Sequence, residues 1–425
     1  MWDGHLLIEP LATPGVMAAK LLLPFGSAQD PPDQRGAHDL LSSLLSRGCG
    51  PFDHQQMADL VEGCGAGLRC EAQEDGLLLS LRCATDNAET LMPLLAWMVR
   101  EPHLKPDQVA LERSLTVQSL LRQGEDPFHM ASVGWRKLVY GAGGYGHDPM
   151  GEAKDLLQLD RDKLIPLAKR LPLAQPVMAI AGQCPAHILD ALADRPGFAG
   201  WPKPCEAISD PAPTHSANPG QATLHLQSMN TEQVVLMLGQ ATIPHGHPDD
   251  LALRLLQCHL GIGMSSLLFR RLREEHGVAY EVAASYPTLA GPSPFMILAS
   301  TGMERAALSL RLLKDCWDDL RTTRISEPDL AMARAKFIGQ LAHSRQTCSQ
   351  RAERRVQLKA MHLADDHDTQ SIKAVERLDA EHLRQAAARW LSRPRLSLCG
   401  PPESLRELER LWNAQSEPCP SQGSN

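Results

Sequence analysis

Two stretches in different halves of the chain share one order of hydrophobic and polar positions. In each, a run of apolar residues is followed by a polar segment containing proline, and then by apolar residues spaced three and four apart. The stretches are VMAAKLLLPFGSAQDPPDQRGAHDLLSSLL (Val16–Leu45) and EQVVLMLGQATIPHGHPDDLALRLLQCHL (Glu232–Leu260). This pattern predicts a strand, a turn and an amphipathic helix, once in each half.

A long helix is also predicted in each half. KPDQVALERSLTVQSLLRQGED (Lys105–Asp126) and SEPDLAMARAKFIGQLAHSRQT (Ser326–Thr347) both place Pro-Asp at a helix start and continue with helical apolar spacing. An internal duplication explains both repeats, at a period far longer than that of solenoid proteins. We therefore expect an α+β fold of two similar domains, each a mostly antiparallel sheet with helices packed on one face.

The boundary between the two domains is predicted from composition. The segment CEAISDPAPTHSANPGQ, residues 205–221, is rich in Pro, Ser, Asn and Ala and lacks apolar periodicity, which is typical of a linker. This places the first domain at residues 1–204 and the second at residues 222–400. Residues 401–425, which end in SEPCPSQGSN, are expected to be a C-terminal tail.

The charge and the cysteine content narrow the function classes. Lys and Arg number 42 against 50 Asp and Glu, a net charge of −8, so the chain has no basic field for a nucleic-acid backbone. The 11 cysteines include no Cys-x-x-Cys pair, which speaks against a zinc ribbon. No basic segment precedes the first apolar residues, and no apolar run is long enough to span a membrane. We expect a soluble cytoplasmic protein that binds neither nucleic acid nor membrane.

Three motifs carry a family resemblance. They are GAHDLLSSLLSRG (Gly36–Gly48), YGAGGYGHDPMGEAKDL (Tyr140–Leu156) and GMSSLLFRRLREEHGVAYEVAASY (Gly263–Tyr286). The chain resembles the insulinase/pitrilysin-like metallopeptidases, in particular their bacterial branch, which is similar to the mitochondrial processing peptidase. The resemblance extends over nearly the whole chain, and the third motif is its most specific part.

The resemblance implies that the zinc motif of this family is degenerate here. Active members carry His-x-x-Glu-His, which supplies two zinc ligands and the general base, and a later helix supplies a further glutamate. The corresponding residues are His38, Leu41 and Ser42, and the later position is Gln118, or Ser119 if the alignment is displaced by one residue. One imidazole does not make a catalytic zinc site, so we expect no zinc in this chain. His38 is then most simply a vestigial or backbone-bonded residue at a helix start.

The resemblance also implies a retained pair of residues in the second half. Active members carry an Arg and a Tyr, seven residues apart, that reach the zinc-bearing half and hold the substrate main chain and the tetrahedral intermediate. Arg273 and Tyr280 have this spacing, around Gly277, a predicted helix end. A structural role is the alternative. The positive charge of Arg273 would then interact favourably with the helix dipole at the helix end, and Tyr280 would be an ordinary sheet residue.

Two functions follow as expectations from the resemblance. In the first, the chain is the non-catalytic, substrate-binding subunit of a heterodimeric zinc metallopeptidase. Its homologous partner would carry an intact His-x-x-Glu-His motif and the zinc, and a peptide would be the substrate. In the second, the chain is a purely structural or binding homologue, a homodimer with no role in proteolysis. Retention of Arg273 and Tyr280 favours the first.

Other candidate motifs have simpler interpretations. His245 and His247 form a His-x-His that could chelate a metal, but a polar turn before a helix explains them better. GIGMSS (Gly261–Ser266) lacks the lysine of a phosphate-binding loop and follows a helix instead of a strand. The glycines of YGAGGYGHD (Tyr140–Asp148) predict a mobile loop.

Overall fold

The computed structural model describes residues 5–416 except 14, 191, 204–219 and 221. The strands are β1 Leu6–Pro10, β2 Val16–Leu23, β3 Gly48–Cys49, β4 Phe52–Asp53, β5 Gly67–Ala72, β6 Leu77–Ala84, β7 Val177–Gly182, β8 Leu224–Ser228, β9 Gln233–Ala241, β10 Glu281–Ser285, β11 Pro294–Gly302 and β12 Arg395–Gly400. The helices of the first half are α1 Ala37–Leu45, α2 His54–Gly63, α3 Ala88–Arg100, α4 Pro106–Gln123, α5 Pro127–Tyr140, α6 Ala153–Leu156, α7 Arg161–Arg170 and α8 Ala186–Asp190. Those of the second half are α9 Asp250–Gly261, α10 Ala306–Thr322, α11 Glu327–His343, α12 Cys348–Ala360, α13 His367–Val375, α14 Ala380–Trp390 and α15 Pro402–Ser416, and a π-helix spans Phe269–Glu275.

The two large sheets have the same topology. The first is ordered β1-β7-β2-β6-β5 and the second β8-β12-β9-β11-β10. In each, the pair at one end is parallel, β1 with β7 and β8 with β12, and the other pairs are antiparallel. The predicted α+β fold of two similar domains is therefore confirmed, and the shared strand order supports an internal duplication.

Side-chain alternation along β2 explains how one sheet serves two cores. Met17, Ala19, Leu21 and Leu23 join the core formed with α1 and α3, because residues two apart share a face of the sheet. Leu22 points to the opposite face. The leucines of α1, at Leu40, Leu41, Leu44 and Leu45, are fully buried against the first face, as their helical spacing predicts.

Each half covers the second face of the other half's sheet with one helix. From the second half, α12 packs on β2 and β7 through Ala352 and Val356. From the first half, α5 packs on β8, β9 and β12 through Trp135 and Val139. The helices that each half packs on its own sheet occupy one face, as expected, and the exchanged helix fills the other. The two halves are thereby interlocked.

The predicted linker and the predicted C-terminal tail are described by the structure to different extents. The predicted linker, residues 205–221, lies outside the described residues except for Gly220. Helix α15 lies in the predicted tail, but its Leu405, Leu408 and Trp412 are buried in the core of the second half. The second domain thus extends beyond residue 400, because the apolar spacing of this segment forms one more core-facing helix. None of the helices within the described residues has the length and apolarity needed to cross a membrane.

Candidate functional site

His38 lies in the first turn of α1, and its side chain contacts a carboxylate from the preceding loop. The Nδ1 of His38 lies 2.7 Å from Oδ1 of Asp30 and donates to it, because an ionised carboxylate only accepts. The backbone N–H groups of Gly36 and His38 donate to the same carboxylate, at 2.6 and 3.0 Å. Asp30 therefore accepts hydrogen bonds from backbone N–H groups at the start of the helix, and it fixes the orientation of the His38 ring.

A second imidazole lies on the other side of Asp30. The Nε2 of His147 is 3.4 Å from Oδ2 of Asp30, whose side chain is fully buried. Burial acts to raise the pKa of Asp30, but the contacts of its carboxylate with His147 and His38 outweigh burial and hold the pKa below its usual value. The buried carboxylate of Asp30 thus lies between two imidazoles, those of His38 and His147.

The other positions of the zinc motif have become packing residues. Leu41 is 0% exposed and belongs to the core of the first half. The hydroxyl of Ser42 is buried and donates to the carbonyl oxygen of Asp39 at 2.7 Å, within the helix. Neither side chain offers a ligand on the side of His38.

The position predicted for the later glutamate lies on α4. Gln118 is on the exposed side of this helix. Ser119 is half-buried and shares its side with the buried Thr116 and Glu112, three and seven residues earlier. Glu112 forms an ion pair with Arg47. Ser119 is thus the alternative that faces inward, and it carries no carboxylate.

These residues do not fit a catalytic zinc ion. Such a site needs three protein ligands and an open position for water. Within the described residues, no group of three or more His, Cys, Asp or Glu side chains could hold a metal ion. Leu41 and Ser42, at the other predicted motif positions, offer neither a carboxylate nor a second imidazole.

The glycine-rich loop after α5 does not have the exposed, mobile character expected of it. Its Tyr145 is buried and donates to Oδ1 of Asp75 at 2.5 Å, and Asp148 lies 2.9 Å from Nε2 of His129. A Cβ at Gly144 or Gly146 would overlap with neighbouring backbone atoms. The glycines permit this close backbone approach, so mobility was the wrong inference from their number.

The Arg273–Tyr280 segment lies in the second half. Arg273 is exposed on the π-helix, with Cζ 4.7 Å from the ring centroid of Phe269 one turn earlier. No acidic side chain among the described residues forms an ion pair with Arg273, whereas Arg270 pairs with Asp329 at 3.3 Å. The guanidinium is therefore held by an aromatic face and keeps its hydrogen-bond donors available.

Tyr280 is held by its backbone and presents its ring to solvent. The chain turns at Gly277, where φ is +58°, and Val278 and Ala279 are buried after it. The N–H of Tyr280 donates to the carbonyl oxygen of Ser300 at 2.8 Å, while its side chain is 66% exposed. Two buried residues thus anchor an exposed phenol at the start of β10.

The structure does not bring the two sets of predicted residues into contact. Among the described residues, no hydrogen bond, ion pair or ring contact joins Arg273 or Tyr280 to His38. Each set lies in its own half of the chain, His38 on α1 and Tyr280 directly before β10.

The histidines of the His-x-His motif act as turn residues. The Nδ1 of His245 lies 2.8 Å from Oδ2 of Asp250, and Nε of Arg254 donates to the same oxygen at 3.0 Å. Burial lowers the pKa of His245, so this ring is neutral near pH 7. His247 accepts from the backbone N–H of Asp249 at 3.0 Å. These are the contacts of a polar turn before a helix.

Comparison with known families assigns both halves. Residues 12–128 match the family described as insulinase, peptidase family M16, and residues 175–337 match the peptidase M16 inactive domain. The chain belongs to the insulinase-like M16 family. It is a non-catalytic member; the positions predicted for the general base and the zinc ligands hold Leu41, Ser42 and Gln118, or Ser119 if the alignment is displaced by one residue.

Relatives that match most of the chain, and solved structures with the same fold, are similar to this protein. An uncharacterized zinc protease of Mycobacterium tuberculosis is 24% identical over 394 residues, which are 92% of this chain and 89% of the relative. One of Rickettsia felis is 20% identical over 339 residues, 79% of this chain and 80% of the relative. The structure of a peptidase M16 inactive domain from Pseudomonas fluorescens superposes with a TM-score of 0.82 at 22% identity, over 93% of this chain and 95% of that one. A protease from Helicobacter pylori gives a TM-score of 0.84 at 16% identity, over 93% and 96%.

Proposed function

We propose that this chain is the substrate-binding, non-catalytic subunit of a heterodimeric zinc metallopeptidase. Its partner is a homologous subunit with an intact His-x-x-Glu-His motif, which supplies the zinc ion and the general base. This chain supplies Arg273 and Tyr280. The observation that carries the proposal is an asymmetry: Leu41 is 0% exposed in the core, whereas Tyr280 is 66% exposed.

The chemistry of the exposed pair suits the substrate of a peptidase. A guanidinium and a phenol both donate hydrogen bonds to a peptide carbonyl oxygen, and these bonds strengthen as the oxygen gains negative charge during hydrolysis. Phe269 beneath Arg273 and the buried Val278 and Ala279 before Tyr280 hold the two donors in place before substrate binds.

The adjacent strand offers a binding edge for a peptide main chain. Strand β10, Glu281–Ser285, begins directly after Tyr280 and is the outer strand of its sheet, paired with β11 alone. An outer strand has unpaired N–H and C=O groups on one side, to which an extended peptide adds as a further strand. The substrate is therefore an extended, unfolded peptide segment, with its carbonyl groups directed to Tyr280 and Arg273.

The test reconstitutes the complex. The chain is mixed with its homologous partner and zinc, and cleavage of an unfolded peptide is measured for wild type and for Arg273→Ala. We expect a rate loss of about a hundredfold or more, as removal of one oxyanion donor causes elsewhere. The control is Glu275→Ala, which removes an exposed side chain from the same π-helix and should leave the rate unchanged.

Two results would contradict the proposal. An equal rate for wild type and Arg273→Ala would remove the role of Arg273. A mixture that forms no complex and cleaves nothing, while this chain forms a stable homodimer, would favour a structural homologue without a role in proteolysis.

A further inference from the structure

A groove in the second half is lined by four arginine side chains. It lies between the end of α9, the π-helix, the α10–α11 connection and α14, and encloses a cavity of about 230 Å³. The guanidinium groups come from Arg270, Arg271, Arg324 and Arg384, which we call the arginine groove. Its floor is apolar, with Leu256, Leu267, Leu320, Ile325 and Leu383. The function proposed above uses none of these residues.

The carboxylates around the groove do not balance its positive charge. Asp319 lies 2.6 Å from Nη1 of Arg271, and Asp329 lies 3.3 Å from Nη2 of Arg270. Glu381 is shared, since it accepts from Nε of Arg324 at 2.8 Å and from Nη2 of Arg384 at 2.6 Å. Four guanidinium groups thus face three carboxylates, which leaves a net positive charge on the groove.

Several arginine donors remain available. A guanidinium has five N–H donors, more than one carboxylate can accept. Among the described residues, nothing accepts from Nη1 or Nη2 of Arg324, from Nε or Nη1 of Arg270, or from Nε or Nη2 of Arg271. These donors come from two elements beside one cavity, the π-helix with Arg270 and Arg271 and the α10–α11 connection with Arg324, so a single oxyanion could receive hydrogen bonds from more than one arginine.

Two basic groups lie near the groove. Burial is the main cause that lowers the pKa of His259 to about 4; Asp329 acts to raise this pKa, and the charges of Arg270, Lys336 and Arg271 act to lower it. Burial is also the main cause that lowers the pKa of Lys336; Cys258 and Asp329 act to raise it, and the charge of Arg270 acts to lower it. In both groups the charge of Arg270 acts in the direction expected beside a guanidinium, and burial has the larger effect.

We propose that the arginine groove binds a phosphate-type oxyanion. Guanidinium groups match the geometry of phosphate oxygens, and a multiply charged anion gains most from a groove with excess positive charge. The cavity volume accommodates a diphosphate as well as a single phosphate group. This site is independent of the proposed role of Arg273, because it needs neither a partner subunit nor a peptide.

The experiment uses the full-length chain alone. Sodium diphosphate and, separately, inorganic phosphate are titrated by isothermal titration calorimetry at ionic strength held constant with sodium chloride. We expect saturable binding of one diphosphate per chain, with at least a tenfold lower affinity for the double variant Arg324→Gln/Arg384→Gln. Glu381→Gln should bind severalfold more tightly, because it removes a carboxylate that competes for Arg324 and Arg384.

Control variants keep the result interpretable. Arg69→Gln removes an exposed arginine from β5, in the other half of the chain, and should leave the affinity unchanged. Arg324→Gln alone serves if the double variant does not fold, since Arg324 is 68% exposed. No saturable binding by wild type would overturn the proposal, as would equal affinities for wild type and the arginine variants, or no gain for Glu381→Gln.

Discussion

Lys20 and Glu353 form an ion pair that joins the two halves of the chain. The Nζ of Lys20, on β2 of the first sheet, lies 2.7 Å from Oε2 of Glu353 on α12. The same Nζ donates to the hydroxyl of Ser80 at 2.8 Å, and Lys20 is 0% exposed. Among the described residues, the carboxylate paired with the buried ammonium of Lys20 thus comes from the exchanged helix of the second half.

Removing the carboxylate of this pair should cost more stability than removing both charges. We expect Glu353→Ala to lower the free energy of unfolding by about 2–4 kcal/mol, because a buried ammonium is left with a hydroxyl alone. Lys20→Met combined with Glu353→Ala should recover much of that loss. Urea unfolding measures the free energy of unfolding of the single and the double variant. The control is Glu376→Ala, at an exposed position of the second half, whose stability should lie within about 0.5 kcal/mol of wild type. Equal losses for the single and double variants would contradict this account.

The opposite exchanged helix makes a similarly close contact through a glycine. A Cβ at Gly134 of α5 would overlap with the ring of His225 on β8. Gly134→Ala should therefore destabilise the protein by about 1–3 kcal/mol, although alanine favours a helix over glycine.

The compensating variant distinguishes a steric effect from other causes. In a His225→Ala background the clash disappears, so Gly134→Ala should then be neutral or stabilising by up to about 1 kcal/mol. Thermal or urea unfolding of wild type, Gly134→Ala, His225→Ala and the double variant gives the coupling free energy between the two positions directly. A loss of the same size in both backgrounds would show that His225 does not explain the glycine.

The elements of this fold were predictable, but the helix exchange was not. The continuous apolar run of β2 identifies a strand, and the apolar spacing of α1 identifies a helix and its buried side. The same spacing in α12, which buries Ala352 and Val356, identifies a buried face without naming the sheet that covers it. That choice depends on how the chain turns between helices, and no local pattern encodes it.

The candidate site was predictable only where its residues follow a motif. Leu41 and Ser42 stand at fixed distances from His38, so the loss of the zinc ligands could be seen in the sequence. The roles of Asp30 and His147 could not, because these residues lie in two irregular loops far apart in the chain and meet only through the tertiary fold. The fixed spacing of a motif shows which residues stand at its ligand positions, but it does not show which distant loops contact them.

The stability of the isolated chain should not depend on a metal ion. Leu41 and Ser42, three and four residues after His38, offer no zinc ligand, so we expect no binding energy of zinc to contribute to folding. Thermal unfolding with and without a chelator should give the same midpoint, and elemental analysis should find zinc well below one ion per chain. A lower midpoint after chelation, together with stoichiometric zinc, would contradict the assignment of this chain as the subunit without zinc.

Asp39 should make the folded state sensitive to pH near neutrality. Burial, reinforced by the negative charges of Asp30 and Asp148, raises the pKa of Asp39 to about 7. The folded protein then holds this proton more tightly than the unfolded chain, whose carboxyl has an ordinary pKa near 4. Stability should therefore fall as pH rises from about 4 to about 7, and this contribution should be constant above that range.

A single substitution isolates this contribution. Asp39→Asn removes the ionisable group. The change that it causes in the free energy of unfolding should therefore be more favourable at pH 8 than at pH 4.5, by about 1–3 kcal/mol. Urea unfolding of wild type and variant at both pH values measures the difference. An effect of Asp39→Asn that is the same at pH 4.5 and pH 8 would show that Asp39 titrates normally in the folded protein.

Tyr280→Phe should separate a role in hydrolysis from a role in the sheet. The phenol is exposed and Val278 and Ala279 anchor the segment, so loss of the hydroxyl should leave the unfolding midpoint of the isolated chain unchanged. In the reconstituted complex the rate of peptide cleavage should fall by about tenfold or more, because one donor to the developing oxyanion is lost. Tyr286→Phe is the matched control: Tyr286 is buried in the same half, next to Phe295, and its hydroxyl lies outside the proposed site. A tyrosine that served only the sheet would give the reverse result, with cleavage unchanged by Tyr280→Phe.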